Sequence, residues 1–327
     1  MVDPVDGLRP GRLVLDGGTI VGVEEGGAAE EPLLLPGFVD LHVYESAGLV
    51  RQGVTAYLQA AQEPRATTDA LCLGLHLEGP FLNPKAAGAI PVEAIRPVDL
   101  DLLDDWLGRG DVRLVTVAPE IPGGLEAIAL VSERAVAGVG HTLANAATAK
   151  AAVALGARFA THLWNATSPV RARATGVVPE LLLEPRVTIG LIADGRHLHP
   201  RIEELTLRVA GAARVALTSD LVVAPGHFPD GRLAGGDRAG AALVRRMARF
   251  GLAEAAAMAS FTPSRLLGLA DRGRLAPGFR ADIAVLSRRL EPLETLVGGE
   301  IAWSVRYPQT AELDEIPPST HAPGSGA

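Results

Sequence analysis

Eight short apolar runs recur through the middle of this chain, and helical patterns separate most of the later ones. The runs span residues 38–43, 54–58, 71–77, 112–117, 135–139, 159–163, 187–192 and 215–217. Between them, residues 100–107, 124–134, 146–155 and 202–210 repeat apolar side chains at helical spacing. A parallel strand pair needs a crossover long enough to hold a helix, so strands alternating with helices build parallel sheets. Eight such units predict an α/β chain of the (β/α)8 TIM-like barrel type.

The first connections are too short for that pattern. About ten residues separate the first run from the second and about a dozen the second from the third, at the lower limit of a helical crossover. The first outer helices are therefore expected to be reduced or missing. Bare strand faces would then need a partner subunit or a terminal segment to cover them.

The chain ends carry a different pattern. Residues 12–15 and 19–23 flank Asp16-Gly17-Gly18, a hairpin signal, and Pro36-Gly37 marks a boundary. Residues 240–250 and 253–259 read as helices, with Thr262-Pro263-Ser264 capping another because Pro suits the first helical position. Residues 274–286, containing Pro277-Gly278, and 295–303, containing a Gly298-Gly299 turn, read as strands that pair with the N-terminal ones. The expected organisation is a small β domain from 1–35 and 271–307, a barrel over 36–270, and a disordered tail over 308–327.

A net charge of −8 argues against a nucleic-acid groove or an anionic membrane as the main partner. No apolar run approaches the ~18 residues needed to span a bilayer, and the first residues have no signal-peptide pattern. The single cysteine, Cys72, excludes an internal disulfide framework. A cytoplasmic protein is expected, with no nucleic-acid or membrane partner.

Three polar groups stand at the downstream ends of apolar runs. Glu78 lies in Gly-Leu-His-Leu-Glu-Gly-Pro-Phe, His141 in Gly-His-Thr and His162 in Thr-His-Leu. A barrel presents its catalytic groups at these strand ends. One carboxylate and two imidazoles suit one divalent metal, zinc first and iron second, with a position left for water. A lone histidine beside a strand is more often structural; two of them together with a carboxylate favour a shared metal. Asp220 follows the eighth run and could either cap a helix or serve catalysis. Asp194 and His197 read as a capped turn or a site pair, Arg171 and Arg173 as solvated, and His76 as a core or supporting histidine. His199, His227 and His321 read as surface or loop residues.

Taken together, these segments resemble the amidohydrolase superfamily, and within it the N-acetylglucosamine-6-phosphate deacetylase family. The resemblance rests on Pro-Gly-Phe-Val-Asp-Leu-His at 36–42, Gly-Val-Thr at 53–55, His-Leu-Glu-Gly-Pro-Phe at 76–81 and residues 115–120. It continues through 140–142, His-Leu-Trp-Asn-Ala at 162–166, 192–197, 218–220, Leu233-Ala234-Gly235 and the stretch from Arg272 to Ile283. It covers residues from about 10 to 305. The resemblance implies metal ligation by Glu78, His141 and His162, and an acid–base role for Asp220. It implies substrate contacts at Ala89, Asn165, Ala166, Arg173, Asp194, His197, Leu233, Ala234 and Gly235, with Arg173 serving a neighbouring subunit of a homodimer. The implied reaction is metal-dependent hydrolysis of the acetamide of N-acetylglucosamine 6-phosphate to glucosamine 6-phosphate and acetate.

The chain departs from that family in several places. His42-Val43-Tyr44 stands where the superfamily often has His-x-His, which favours one metal and leaves His42 as a ligand of a second metal, a supporting group or a satisfied polar residue. Ile90 replaces a histidine, and losing one such donor can cost ~10²–10³ in rate. The stretch from Asp220 to Leu233 is short, and Gly236-Asp237-Arg238 replaces a serine-rich loop. Two further readings stay open: an amidohydrolase for another small amide or N-acyl sugar, and an inactive relative that binds an amino-sugar phosphate.

Overall fold

The computed structural model describes residues 1–26, 32–43, 70–222, 226–227, 233–236 and 238–305. Five strands open the chain: β1 (Val2–Asp3), β2 (Gly7–Leu8), β3 (Gly11–Asp16), β4 (Thr19–Glu25) and β5 (Leu33–Pro36). The central wall follows, made of β6 (Leu75–Glu78), β7 (Val112–Val117), β8 (Val136–Val139), β9 (Phe159–Ala160), β10 (Thr188–Leu191) and β11 (Val215–Leu217). These six strands are parallel and pair in sequence order. One-strand steps with helical crossovers are the wall of a TIM-like barrel.

The crossover helices start where the sequence supplies caps. Asp99 accepts from Leu102 N to open Leu100–Gly108, and Asn145 accepts from Thr148 N to open Ala146–Ala154. His199 caps Pro200–Ala210 by accepting from Arg201 N. Inside the wall, Leu114, Phe159 and Ala216 come from β7, β9 and β11 and pack with Val39 and Leu41. Side chains from alternate strands form such a layer in a packed barrel.

Residues 38–43, expected as the first barrel strand, are not a regular strand. The Asp40 Oδ1 atom accepts from His42 N and from Ser219 N, each at 3.1 Å. Capturing an N–H two residues on makes a local turn that competes with ladder bonding. The same carboxylate still joins the first segment to the last: Val43 bridges Leu221 in parallel, and Asp220 N donates to His42 O at 2.9 Å. The run 54–58, Tyr44, the short early connections and the tail at 308–327 lie outside the described residues.

Other boundaries shift for local reasons. The 71–77 run becomes regular only at Leu75, because Gly74 sits at φ 128°. The 159–163 run ends at Ala160, just before His162 turns to φ 30°. The helix Val177–Leu183 is not predicted by the pattern: Val-Val-Pro-Glu-Leu-Leu-Leu is apolar nearly throughout and has no readable period.

The expected cap at Thr262 is also absent. Leu252–Ala256, a π-helical turn at Ala257–Phe261 and Thr262–Leu266 form one run, and Thr262 Oγ1 donates instead to Ala212 O at 3.0 Å. Pro263 lacks an N–H and its ring crowds the carbonyl four residues back, which a wider π turn relieves.

Beyond the wall, β12 (Gly226–His227) pairs with β13 (Leu233–Ala234). Then β14 (Ile283–Leu286), β15 (Pro292–Val297) and β16 (Glu300–Ser304) join β5 in a sheet ordered β16-β15-β14-β5. Strand β14 runs antiparallel to β5, so both chain ends meet in one sheet. Residues 274–286 are not one strand; only Ile283–Leu286 is extended, and Gly278 turns at φ 87°. The Asp16-Gly17-Gly18 hairpin forms as expected between β3 and β4. Met1, Ile20, Leu275, Ala281, Ile283 and Val285 form a separate apolar cluster there.

Candidate metal centre

Glu78 ends β6, and its side chain is 6% exposed. His141 follows β8 and His162 follows β9. His141 Nε2 lies 3.0 Å from Glu78 Oε1, His162 Nε2 lies 2.8 Å from the same oxygen, and the two Nε2 atoms are 3.2 Å apart. Ligand atoms about 2.0–2.1 Å from a tetrahedral zinc sit roughly 3.3 Å from one another. This triangle is close to that size, and its donors are of the right chemistry.

Hydrogen bonds prepare one of the imidazoles. His141 Nδ1 lies 2.8 Å from Ala86 O. A carbonyl only accepts, so His141 carries hydrogen on Nδ1 and, when neutral, turns its Nε2 lone pair to the centre. His162 Nδ1 is buried and has no hydrogen-bond partner among the described residues. Burial opposes charge on Glu78, yet His42 and His141 prevail and hold its carboxyl well below the usual range. The centre is thus a buried carboxylate ringed by imidazoles.

His42 also reaches this point. Its Nε2 lies 3.3 Å from Glu78 Oε1 and 3.2 Å from Asp220 Oδ1. Ligand atoms of His42, Glu78 and His162 come within 4.8 Å of one another, so this second triple could also hold an ion. The triangle with His141 is tighter. Behind His42, His76 Nδ1 lies 2.9 Å from both Leu41 O and His42 Nδ1. Burial and the neighbouring His42 push the His76 pKa well down, so it is neutral. Its one hydrogen sits on Nδ1, facing the Leu41 carbonyl, and Thr116 Oγ1 donates to its Nε2 at 2.7 Å. Burial opposes charge on His42, but Glu78 and Asp220 outweigh it and raise its pKa well above the ordinary value.

The backbone is strained at the same place. Among the described residues six non-glycines have positive φ, and five of them are His141, His162, Trp164, Ala166 and Asp220. Such conformations cost on the order of 1–3 kcal/mol each and persist where surrounding structure over-determines them.

The remaining predicted residues divide into two groups. Asp194 Oδ2 lies 2.8 Å from His197 Nδ1, and Asp194 Oδ1 accepts the N–H groups of Arg196 and His197. Burial opposes the Asp194 charge, but these partners outweigh it and hold the pKa at about 2. Ala166 O accepts from Thr142 N, and Asn165 N donates to His162 O, so both sit in the loop carrying His162. A Cβ on Gly88 would lie 3.2 Å from His141 Cε1, which places the turn before Ala89 against the centre. Leu233 and Ala234 form β13, and Gly236 N donates to Asp220 O, so this stretch is tied to Asp220. Arg173, by contrast, is exposed, and no described contact joins it to the cluster. Ile90 is half-buried, and its N–H closes a turn onto Ala87 O.

The sequence pattern gives no role to Glu120, which lies just beyond β7. It accepts from Asn83 Nδ2 at 2.7 Å, from Leu143 N at 2.6 Å and from Thr142 Oγ1. The position rule that singles out Glu78, a carboxylate at a strand's downstream end, would also have found it.

A parallel barrel wall with a carboxylate and imidazoles gathered at its strand ends is the arrangement of a metal-dependent hydrolase. The model of the Amidohydrolase family matches residues 128–301. The N-acetylglucosamine-6-phosphate deacetylase of Bacillus subtilis is 31% identical over 84% of this chain and 86% of its own length. The N-acetylgalactosamine-6-phosphate deacetylase of Escherichia coli O157:H7 is 30% identical over 83% and 88%. Among solved structures, the Thermotoga maritima N-acetylglucosamine-6-phosphate deacetylase superposes with a TM-score of 0.81 at 26% identity, covering 93% of this chain and 98% of that one. A variant of the Mycobacterium smegmatis deacetylase, in complex with N-acetyl-D-glucosamine-6-phosphate, gives 0.80 at 26%, covering 93% and 97%. The chain belongs to the amidohydrolase family and, within it, to the N-acetylglucosamine-6-phosphate deacetylases.

Proposed function

We propose that this protein hydrolyses the acetamide of N-acetylglucosamine 6-phosphate, releasing glucosamine 6-phosphate and acetate. The observation that carries this reading is the convergence of Glu78 Oε1, His141 Nε2 and His162 Nε2 within 3.2 Å, beside Asp220. Those three atoms would hold one divalent ion, zinc first and iron second. When bound there, such an ion would supply Lewis acidity for the acetyl carbonyl and would lower the pKa of water toward neutral pH.

The chain's own groups do the rest. Asp220 takes a proton from the attacking water and returns it to the departing amine nitrogen as the C–N bond breaks. His42, paired with Asp220 through Nε2, orients that carboxylate. Asp194 fixes His197 through Nδ1 and leaves Nε2 for the sugar phosphate. Asn165, Ala166, Ala89 and the Leu233-Ala234-Gly235 stretch would line the sugar, and Arg173 would reach the phosphate held by a second copy in a homodimer. No described helix is long and apolar enough to cross a membrane, and a cytoplasmic location agrees with a phosphorylated substrate.

The test is acetate release from N-acetylglucosamine 6-phosphate by chelated and metal-reconstituted protein, with the galacto epimer in parallel. We expect turnover only after reconstitution, with the gluco substrate preferred. Metal-independent turnover would refute the metal assignment. Preference for the galacto epimer, on which the Escherichia coli relative acts by name, would overturn the substrate. A metal-loaded protein silent on both would favour an inactive binding relative.

A further inference from the structure

We propose that Glu120 is a positioning residue for the metal centre, pinning the strained His141 from the loops on either side of it. This inference rests on the metal-binding role given to His141. Glu120 does not touch the Glu78–His141–His162 triangle. Its carboxylate instead collects three donors from two other strand-end loops: Asn83 Nδ2 after β6, and Thr142 Oγ1 and Leu143 N after β8.

Each of those bonds acts on His141. Asn83 has its amide NH2 on Glu120, which leaves its Oδ1 to accept from Lys85 N and cap the 3-10 turn Pro84–Ala86. Ala86, in that turn, offers the carbonyl that fixes the hydrogen on His141 Nδ1. Asn83 N also donates to His141 O at 3.1 Å. On the other side, Thr142 and Leu143 are the two residues that follow His141, and Glu120 holds both. Thr142 further accepts from Ser168 N and donates to Ala166 O through its backbone, extending the clamp to the loop after β9. His141 itself sits at φ 47°. A histidine backbone stays in that conformation only while its surroundings forbid relaxation, and Glu120 supplies bonds that forbid it.

A carboxylate that merely stapled loops would affect melting and leave metal affinity alone. The test is therefore a chelator-competition titration of the full-length protein, with thermal melting measured in parallel. We expect E120A to remain folded and to bind metal about 10- to 100-fold more weakly, the usual scale for groups that orient a ligand. E120Q should bind within roughly threefold of the parent, because a glutamine oxygen still accepts from Asn83 and Leu143 while its amide can donate to Thr142 Oγ1. Parent-like affinity in E120A, or an E120Q no better than E120A, would overturn the proposal. If E120A does not fold, T142V removes one of the three bonds at nearly constant shape. Weakened metal binding there upholds the proposal, and parent affinity overturns it. A parent protein that takes up no divalent metal would instead bring down the functional reading beneath it.

Discussion

His42 Nε2 lies 3.2 Å from Asp220 Oδ1 and 3.3 Å from Glu78 Oε1, so one imidazole joins the two carboxylates of the pocket. Behind it, His76 Nδ1 lies 2.9 Å from both His42 Nδ1 and Leu41 O. The function proposed above gives His42 to Asp220 and therefore expects one ion per chain. His42→Gln keeps an N–H donor. It should retain one ion and lose about 10- to 100-fold in kcat. Two ions in the parent and one in the variant, by elemental analysis, would reverse this assignment.

Asp220→Asn removes the proton acceptor while keeping shape. Its kcat should fall by roughly 10²–10⁴, with metal content and melting temperature near those of the parent. Unchanged turnover would end the role given to Asp220.

Arg173 is exposed, and no described contact joins it to the cluster. Arg173→Ala should raise KM for the phosphorylated sugar far more than for the unphosphorylated one. It should also be complemented in mixed dimers that carry one intact Arg173. Equal effects on the two sugars would count against a phosphate contact.

Asp194 is buried and titrates at about 2, against an ordinary value of 3.8. A carboxyl whose folded pKa is depressed stabilises the fold above its unfolded pKa, and that stability is lost as pH falls through the folded one. The Asp194–His197 pairing should therefore contribute on the order of 2 kcal/mol near neutral pH and decline between about pH 4 and pH 2. Asp194→Asn should flatten that part of the stability curve. An equally steep curve in the variant, by urea titration at each pH, would contradict the pairing.

Glu203 is fully buried in the helix Pro200–Ala210 and holds Arg246 Nε at 2.8 Å and Arg249 Nη2 at 2.6 Å. Removing one partner of such a group strands the other charges, at a cost of roughly 3 kcal/mol. Glu203→Ala should lower stability by about that amount in denaturant unfolding, while Arg249→Ala, at a more exposed position, costs less.

How much of this was legible beforehand depends on the range of the interaction involved. The wall strands β7 and β11 have the bounds their apolar runs predict, because buried parallel strands need continuous apolar side chains. Glu78, His141 and His162 were readable for a similar reason: a polar residue closing such a run has its place fixed by the strand before it. The helix Val177–Leu183 was not readable, since uniform burial erases its period. Residues 38–43 failed differently: their apolar run fits a strand, but the Asp40 side chain takes the His42 N–H for itself.

The sequence alone determined the barrel, the strand ends that carry the polar groups, and which carboxylate and two imidazoles stand at them. These follow from periodicity and residue chemistry, which are local. Only the tertiary structure decided that His42 reaches both Glu78 and Asp220, that His76 backs it, and that Glu120 bonds the loops around His141. Those roles depend on which atoms meet across the chain, 22 residues apart for Glu120 and Thr142, 34 for His42 and His76, and more than half the chain for His42 and Asp220. Tautomer, strain and loop position are set by such encounters, and no spacing along the chain encodes them.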